Sequence, residues 1–126
     1  MPITEHQFHY NFGNHLDGKD SKVLWEKYSV PGAGHILWQA ALGLVIKGEA
    51  GVDWAKKDRA PLLLIAGTND HVVPREVVEA ERKKYHGPAI VELKVFKDRT
   101  HGIVNQAGWE EVADFALHWV GENAKL

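Results

Sequence analysis

Residues Pro61-Leu62-Leu63-Leu64-Ile65-Ala66-Gly67 form a short, continuous apolar run bounded by proline and glycine. An uninterrupted run of this length is what a strand shows when both of its faces are covered, as in a parallel sheet. A parallel strand needs a parallel neighbour, and Ile90, Val91, Leu93, Val95 and Phe96 form a second β-rich segment downstream. Between them the polar loop Thr68-Asn69-Asp70-His71 leads to Pro74, a residue suited to the first turn of a helix, and Lys83, Lys84 and Gly87 mark that helix's end. A strand–helix–strand connection in one sheet is almost always a right-handed crossover, so the carboxyl ends of both strands open on the same side. Beyond the second strand, Trp109, Val112, Ala113, Ala116, Leu117 and Val120 predict an amphipathic helix.

Residues 1–60 have a different texture, helices and loops with no convincing strand pair. Asp20 or Ser21 is expected to cap a short helix carrying Val23, Leu24, Trp25 and Tyr28, which ends before Pro31. The stretch Pro31-Gly32-Ala33-Gly34 breaks the chain. From His35 to Lys47, Ile36, Leu37, Ala40, Ala41, Leu44 and Val45 keep helical spacing, while Trp38, Leu42 and Ile46 make the other face apolar too. Such a helix needs more than one packing partner. The expected architecture is one α/β domain over residues 1–126, with a helical, cap-like segment (1–60) and a β-α-β-α segment (61–126) containing two parallel strands.

Composition narrows the functional classes. Fifteen Lys and Arg against seventeen Asp and Glu give a formal charge of −2 with no basic block. Neither a nucleic-acid nor a membrane-surface footprint is expected from that balance. The absence of cysteine excludes a disulfide scaffold, a thiolate nucleophile and Cys-ligated metal sites. The start, Met1-Pro2-Ile3-Thr4-Glu5-His6, has neither a basic n-region nor an apolar h-region, so a cytoplasmic location is expected.

Asp70 and His101 each fall just beyond the carboxyl end of a strand, the edge at which open α/β sheets collect ligands and catalytic loops. A carboxylate bonded to one imidazole nitrogen fixes the tautomer and leaves the other nitrogen able to take a proton. Spacing alone favours Asp70 as a turn residue and His101 as a loop histidine satisfied by backbone.

Arg59 to Pro74, with Leu62–Gly67 followed by Thr68-Asn69-Asp70-His71, resembles the strand and loop that carry the acid in α/β-hydrolase-fold enzymes. Phe96-Lys97-Asp98-Arg99-Thr100-His101-Gly102 resembles their histidine loop, and Gly108-Trp109-Glu110-Glu111-Val112-Ala113 their closing helix. Phe8-His9-Tyr10-Asn11-Phe12-Gly13-Asn14 with Val30-Pro31 looks like the start of the helical cap in some bacterial members. The resemblance covers nearly the whole chain but only the C-terminal half of the family pattern. It implies a truncated α/β-hydrolase-like fold, related to ester- and amide-cleaving enzymes, with Asp70 as acid and His101 as base. The family nucleophile sits on a G-x-S-x-G elbow. The two serines here, in Asp20-Ser21-Lys22 and Tyr28-Ser29-Val30, have no glycine at the elbow positions. The expected protein is therefore inactive as a serine hydrolase on its own. Three functions remain: one half of a hydrolase needing a complementary nucleophile-bearing half, a small dimeric protein that binds an apolar or ester ligand without chemistry, and a weak hydrolase in which the pair activates water.

Other constellations are weaker. His6, His9 and His15 invite a zinc reading, but no H-E-x-x-H pattern accompanies them and no metal is expected. Gly32-Ala33-Gly34 lacks a preceding strand and a third glycine at dinucleotide spacing, so no cofactor is expected. Trp25, Trp38 and Trp54 are candidates for core or for an apolar pocket. A lone apolar strand pair and the twice-apolar helix predict a two-fold homodimer, which would cover both.

Overall fold

A computed structural model describes residues 3–32 and 52–124. They form a mixed α/β arrangement in the order α1 (Glu5–Asn11), α2 (Gly18–Tyr28), β1 (Leu62–Gly67), α3 (Arg75–Arg82), β2 (Val91–Phe96) and α4 (Trp109–Asn123). The helix expected from His35 to Lys47, with Trp38 and Leu42, lies outside the described residues. None of the described helices is long and apolar enough to cross a membrane.

β1 and β2 pair in parallel, from Leu62 opposite Val91 to Gly67 opposite Phe96. The ladder continues one residue past β1, because Thr68 N donates to Phe96 O at 3.0 Å. Leu62 to Ile65 are only half-buried, and full burial begins at Ala66 and Gly67. Double coverage of the apolar run is thus reached at its carboxyl end, where the loops bearing Asp70 and His101 leave the sheet.

Helix α3 packs against both strands and buries Val78. Helix α4 meets β2: the Phe96 and Phe115 rings are edge-to-face at 5.7 Å, and Trp119 Nε1 donates to Glu92 Oε2 at 2.7 Å. Side chains alternate along a strand, so Glu92, Lys94 and Phe96 share the face that α4 covers. The Lys94 ammonium sits 4.8 Å from the Phe115 centroid, laying its apolar stem along that contact.

Two sequence expectations are corrected in detail. Asp17, not Asp20 or Ser21, caps α2: its Oδ1 accepts from Asp20 N at 2.9 Å. Ser21 lies inside the helix and is 1% exposed, packed so closely on Gly13 that a Cβ there would strike its Oγ. In α4 the buried stripe runs through Val112 and Trp119 with Phe115 and Ala116 half-buried between them, whereas Trp109, Ala113, Leu117 and Val120 face outward. The β2 face is aromatic and amphipathic, and it selects the stripe that brings Phe115 and Trp119 to it. Helix α1 begins with a capping box, Thr4 Oγ1 accepting from Gln7 N and Gln7 Oε1 from Thr4 N. The indole of Trp25 ties α2 to this entry by donating to Ile3 O at 2.9 Å.

Candidate active site

The loops after β1 and β2 are joined to each other before either reaches its functional residue. Thr68 Oγ1 accepts from Asp98 N at 2.8 Å, and Asn69 N donates to Arg99 O at 2.9 Å. Gly67 permits this approach, since a Cβ there would collide with the Arg99 carbonyl. Asp98 takes a left-handed conformation, φ 57°, which a short polar side chain tolerates better than a bulky one.

Arg99 fixes the far side of the histidine loop. Its guanidinium, almost wholly buried, donates to Ala107 O and Gly108 O, both at 2.6 Å, and to Glu111 Oε2 at 3.0 Å. Gly108, at φ 75°, gives the turn that presents these carbonyls, and a Cβ there would sit 3.0 Å from the guanidinium. Next to it, the buried Thr100 is held through Gln106, whose Oε1 accepts from Thr100 N at 3.0 Å.

On this frame Asp70 and His101 meet. His101 Nδ1 donates to Asp70 Oδ2 at 3.0 Å, while Asp70 Oδ1 accepts from Val72 N and Val73 N, both at 2.8 Å. The carboxylate is therefore the anchor of a tight turn as well as the partner of the imidazole, so the turn role and the pairing role coexist. Its side chain is 11% exposed against 34% for the imidazole. Burial opposes ionisation of Asp70, but the Val73 N–H, the His101 ring, the Val72 N–H and the imidazole's charge together outweigh it and hold the carboxyl below its ordinary range.

With Nδ1 carrying the proton, Nε2 of His101 is left with its lone pair and has no hydrogen-bond partner among the described residues. Beside the pair opens a recess of about 230 Å³, floored by Ile65, Ala66, Val73 and Val78. The arrangement can orient an imidazole, keep it in one tautomer and stabilise its protonated form, which are the tasks of a general base.

Segment 10–15 closes over both loops. His71 Nδ1 donates to Tyr10 O at 2.7 Å with the two rings 4.5 Å apart, and Asn14 Nδ2 donates to Asn69 O at 2.9 Å. The Phe12 ring meets the His101 ring edge-on at 5.2 Å. Sequence reasoning missed His71, Asn14, Arg99 and Gln106 as supports. Only the adjacency of Arg99 to Thr100-His101 could have hinted at one of them.

Neither serine joins the pair. Ser21 is buried in α2, Ser29 ends that helix, and neither hydroxyl has a hydrogen-bond partner among the described residues. His6 and His9 lie on α1, whereas His15 approaches Thr100 Oγ1 at 3.4 Å. No group of three or more potential ligands is placed to hold a metal ion among the described residues. Trp54 packs edge-on at 4.8 Å against Tyr85, a residue of the α3–β2 connection, and the Trp25 indole donates to Ile3 O. Compared with protein-family models, curated proteins and solved structures, the chain finds no match.

Proposed function

We propose that this chain carries the acid–histidine part of an α/β-hydrolase-type site acting on an ester or amide, with Asp70 as orienting acid and His101 as general base, and that it is not a serine hydrolase by itself. The observation that carries this reading is the Asp70–His101 hydrogen bond at 3.0 Å, with the second carboxylate oxygen fixed by two backbone N–H groups. In the reaction so read, His101 Nε2 takes the proton of an attacking hydroxyl, and Asp70 stabilises the imidazolium that results. A serine for that attack would come from a complementary nucleophile-bearing half. Without one, the attacking group in the recess beside the pair is water.

The same reading includes a homodimer. Leu117 is 73% exposed, Val120 44%, and the apolar residues of β1 are half-open, so apolar surface is available for a second copy.

Treatment of the purified chain with a fluorophosphonate probe and with short aryl esters tests the proposal, with His101→Ala as comparison. No probe is expected on Ser21 or Ser29, and any slow ester turnover should disappear in His101→Ala. Stoichiometric labelling of either serine with His101-dependent turnover would overturn the missing nucleophile. Turnover indifferent to His101→Ala would overturn the base.

A further inference from the structure

A second cavity, of about 320 Å³, lies between α1, α2 and the histidine loop. Neither Asp70 nor His101 lines it; Phe8, Phe12 and Leu24 supply apolar wall, and His15, Ser29 and Asn105 supply the polar side chains apart from the Tyr28 phenol. Among the described residues, no Lys, Arg, Asp or Glu lines it. Its volume is about twice that of the ~150 Å³ apolar cavity that accepts benzene, at the lower end of the range for small-molecule sites.

The hydrogen bonds around Thr100 favour one tautomer of His15, because its hydroxyl lies closer to Gln106 Oε1, at 3.2 Å, than to His15 Nδ1, at 3.4 Å. Gln106 Nε2 donates to Asp98 O at 2.9 Å, which fixes the amide so that its Oε1 accepts from Thr100 N at 3.0 Å and from the Thr100 hydroxyl at 3.2 Å. The single hydroxyl proton of Thr100 is thereby used. Its oxygen accepts from Gly102 N at 3.2 Å, and the remaining contact, to His15 Nδ1 at 3.4 Å, closes as a hydrogen bond when the imidazole is the donor. His15 is then the Nδ1–H tautomer, and Nε2 is its acceptor. Burial also lowers the pKa of His15, which favours the neutral ring. The Ser29 hydroxyl, buried and without a partner among the described residues, is a further polar group on the wall.

We propose that this cavity binds a small, uncharged aromatic molecule bearing one hydroxyl or ring N–H, whose proton is accepted by His15 Nε2. An uncharged ligand suits a wall whose described residues carry no ionised side chain, a ring of one or two cycles suits the volume, and a donor suits the tautomer. The proposal does not depend on the hydrolytic reading of Asp70 and His101.

Isothermal calorimetry with 2-naphthol, 2-methoxynaphthalene and naphthalene tests it, on the wild type and on His15→Phe and Leu24→Trp, each checked for folding by circular dichroism. The wild type should bind 2-naphthol at least about fivefold more tightly than its methyl ether, the worth of one neutral hydrogen bond. His15→Phe should erase that preference, and Leu24→Trp should abolish binding of all three. Absence of 2-naphthol binding to the folded wild type, or equal affinity for naphthol and ether, would overturn the proposal even if every variant failed to fold. A preference surviving in folded His15→Phe would overturn the role of His15.

Discussion

Replacing Gly67 by alanine should separate the two loops that hold the acid and the histidine. A Cβ on Gly67 would strike the Arg99 carbonyl oxygen and lie 2.7 Å from its carbonyl carbon and 3.0 Å from its Cβ. The obstacle is backbone, and Asn69 N already holds that carbonyl at 2.9 Å, so relief requires the histidine loop to move as a body. Overpacking of a fitted interior costs about 1–3 kcal/mol, and an unyielding backbone partner places Gly67→Ala toward the upper end, about 2–3 kcal/mol. Near the melting point of a chain this size that corresponds to a loss of roughly 6–15 °C. Gly121→Ala is the matched control: nothing lies within 4 Å of a Cβ built there, in the last third of α4. That change should stabilise by about 0.5–1 kcal/mol. Urea denaturation followed by tryptophan fluorescence measures both. A loss below about 0.5 kcal/mol in Gly67→Ala, or equal effects of the two substitutions, would refute the close approach of the loops.

Arg99→Met should cost about 2–3 kcal/mol, because two backbone carbonyls lose charge-assisted donors, while Glu111→Gln, which neutralises a carboxylate that is 68% exposed, should cost less than about 1 kcal/mol by the same denaturation assay. Asp70 should make stability fall in acid. Its carboxyl is held below the ordinary range in the folded state, so its contribution is complete above the unfolded value of about 4 and is lost as pH falls through the lower folded value. Stability measured from pH 6 to pH 2 should therefore drop less steeply in Asp70→Asn than in the wild type, and parallel curves would contradict the cause assigned. Light scattering at micromolar concentration should give twice the 14.1 kDa chain mass. Leu64→Lys or Leu117→Lys should halve that value and so locate the interface on β1 or on α4, whereas a stable, folded wild-type monomer would contradict the dimer.

The strands were legible because a bounded apolar run and a second β-rich segment separated by helical length admit few pairings, and the register observed brings their carboxyl ends together at Gly67 and Phe96. The stripe of α4 was not, since Trp109, Ala113, Leu117 and Val120 repeat as regularly as Val112, Phe115, Ala116 and Trp119. Only the partner surface, with Phe96 for Phe115 and Glu92 for Trp119, decides between them. The cap of α2, expected at Asp20 or Ser21, was misplaced by three or four residues because Asp17, Asp20 and Ser21 all carry side chains that can cap. Asp70 and His101 could be picked out by their positions after the strands. The contacts that hold segment 10–15 over them join residues 55 or more apart, and no local pattern announces such partners. Arg99 was invisible for a related reason, as a charged loop residue in the sequence that becomes almost wholly buried once α4 docks its first turn.

Asp70 is placed to hold His101 in one tautomer with its proton-accepting nitrogen available. Nitrogen-15 NMR of the imidazoles at neutral pH reads that tautomer, with His101 assigned by comparison with His101→Ala. The wild type should show His101 protonated at Nδ1, with a downfield-shifted proton on that nitrogen, and Asp70→Asn should lose the shift and populate the other tautomer. A wild-type His101 protonated at Nε2, or a spectrum unchanged in Asp70→Asn, would contradict the account.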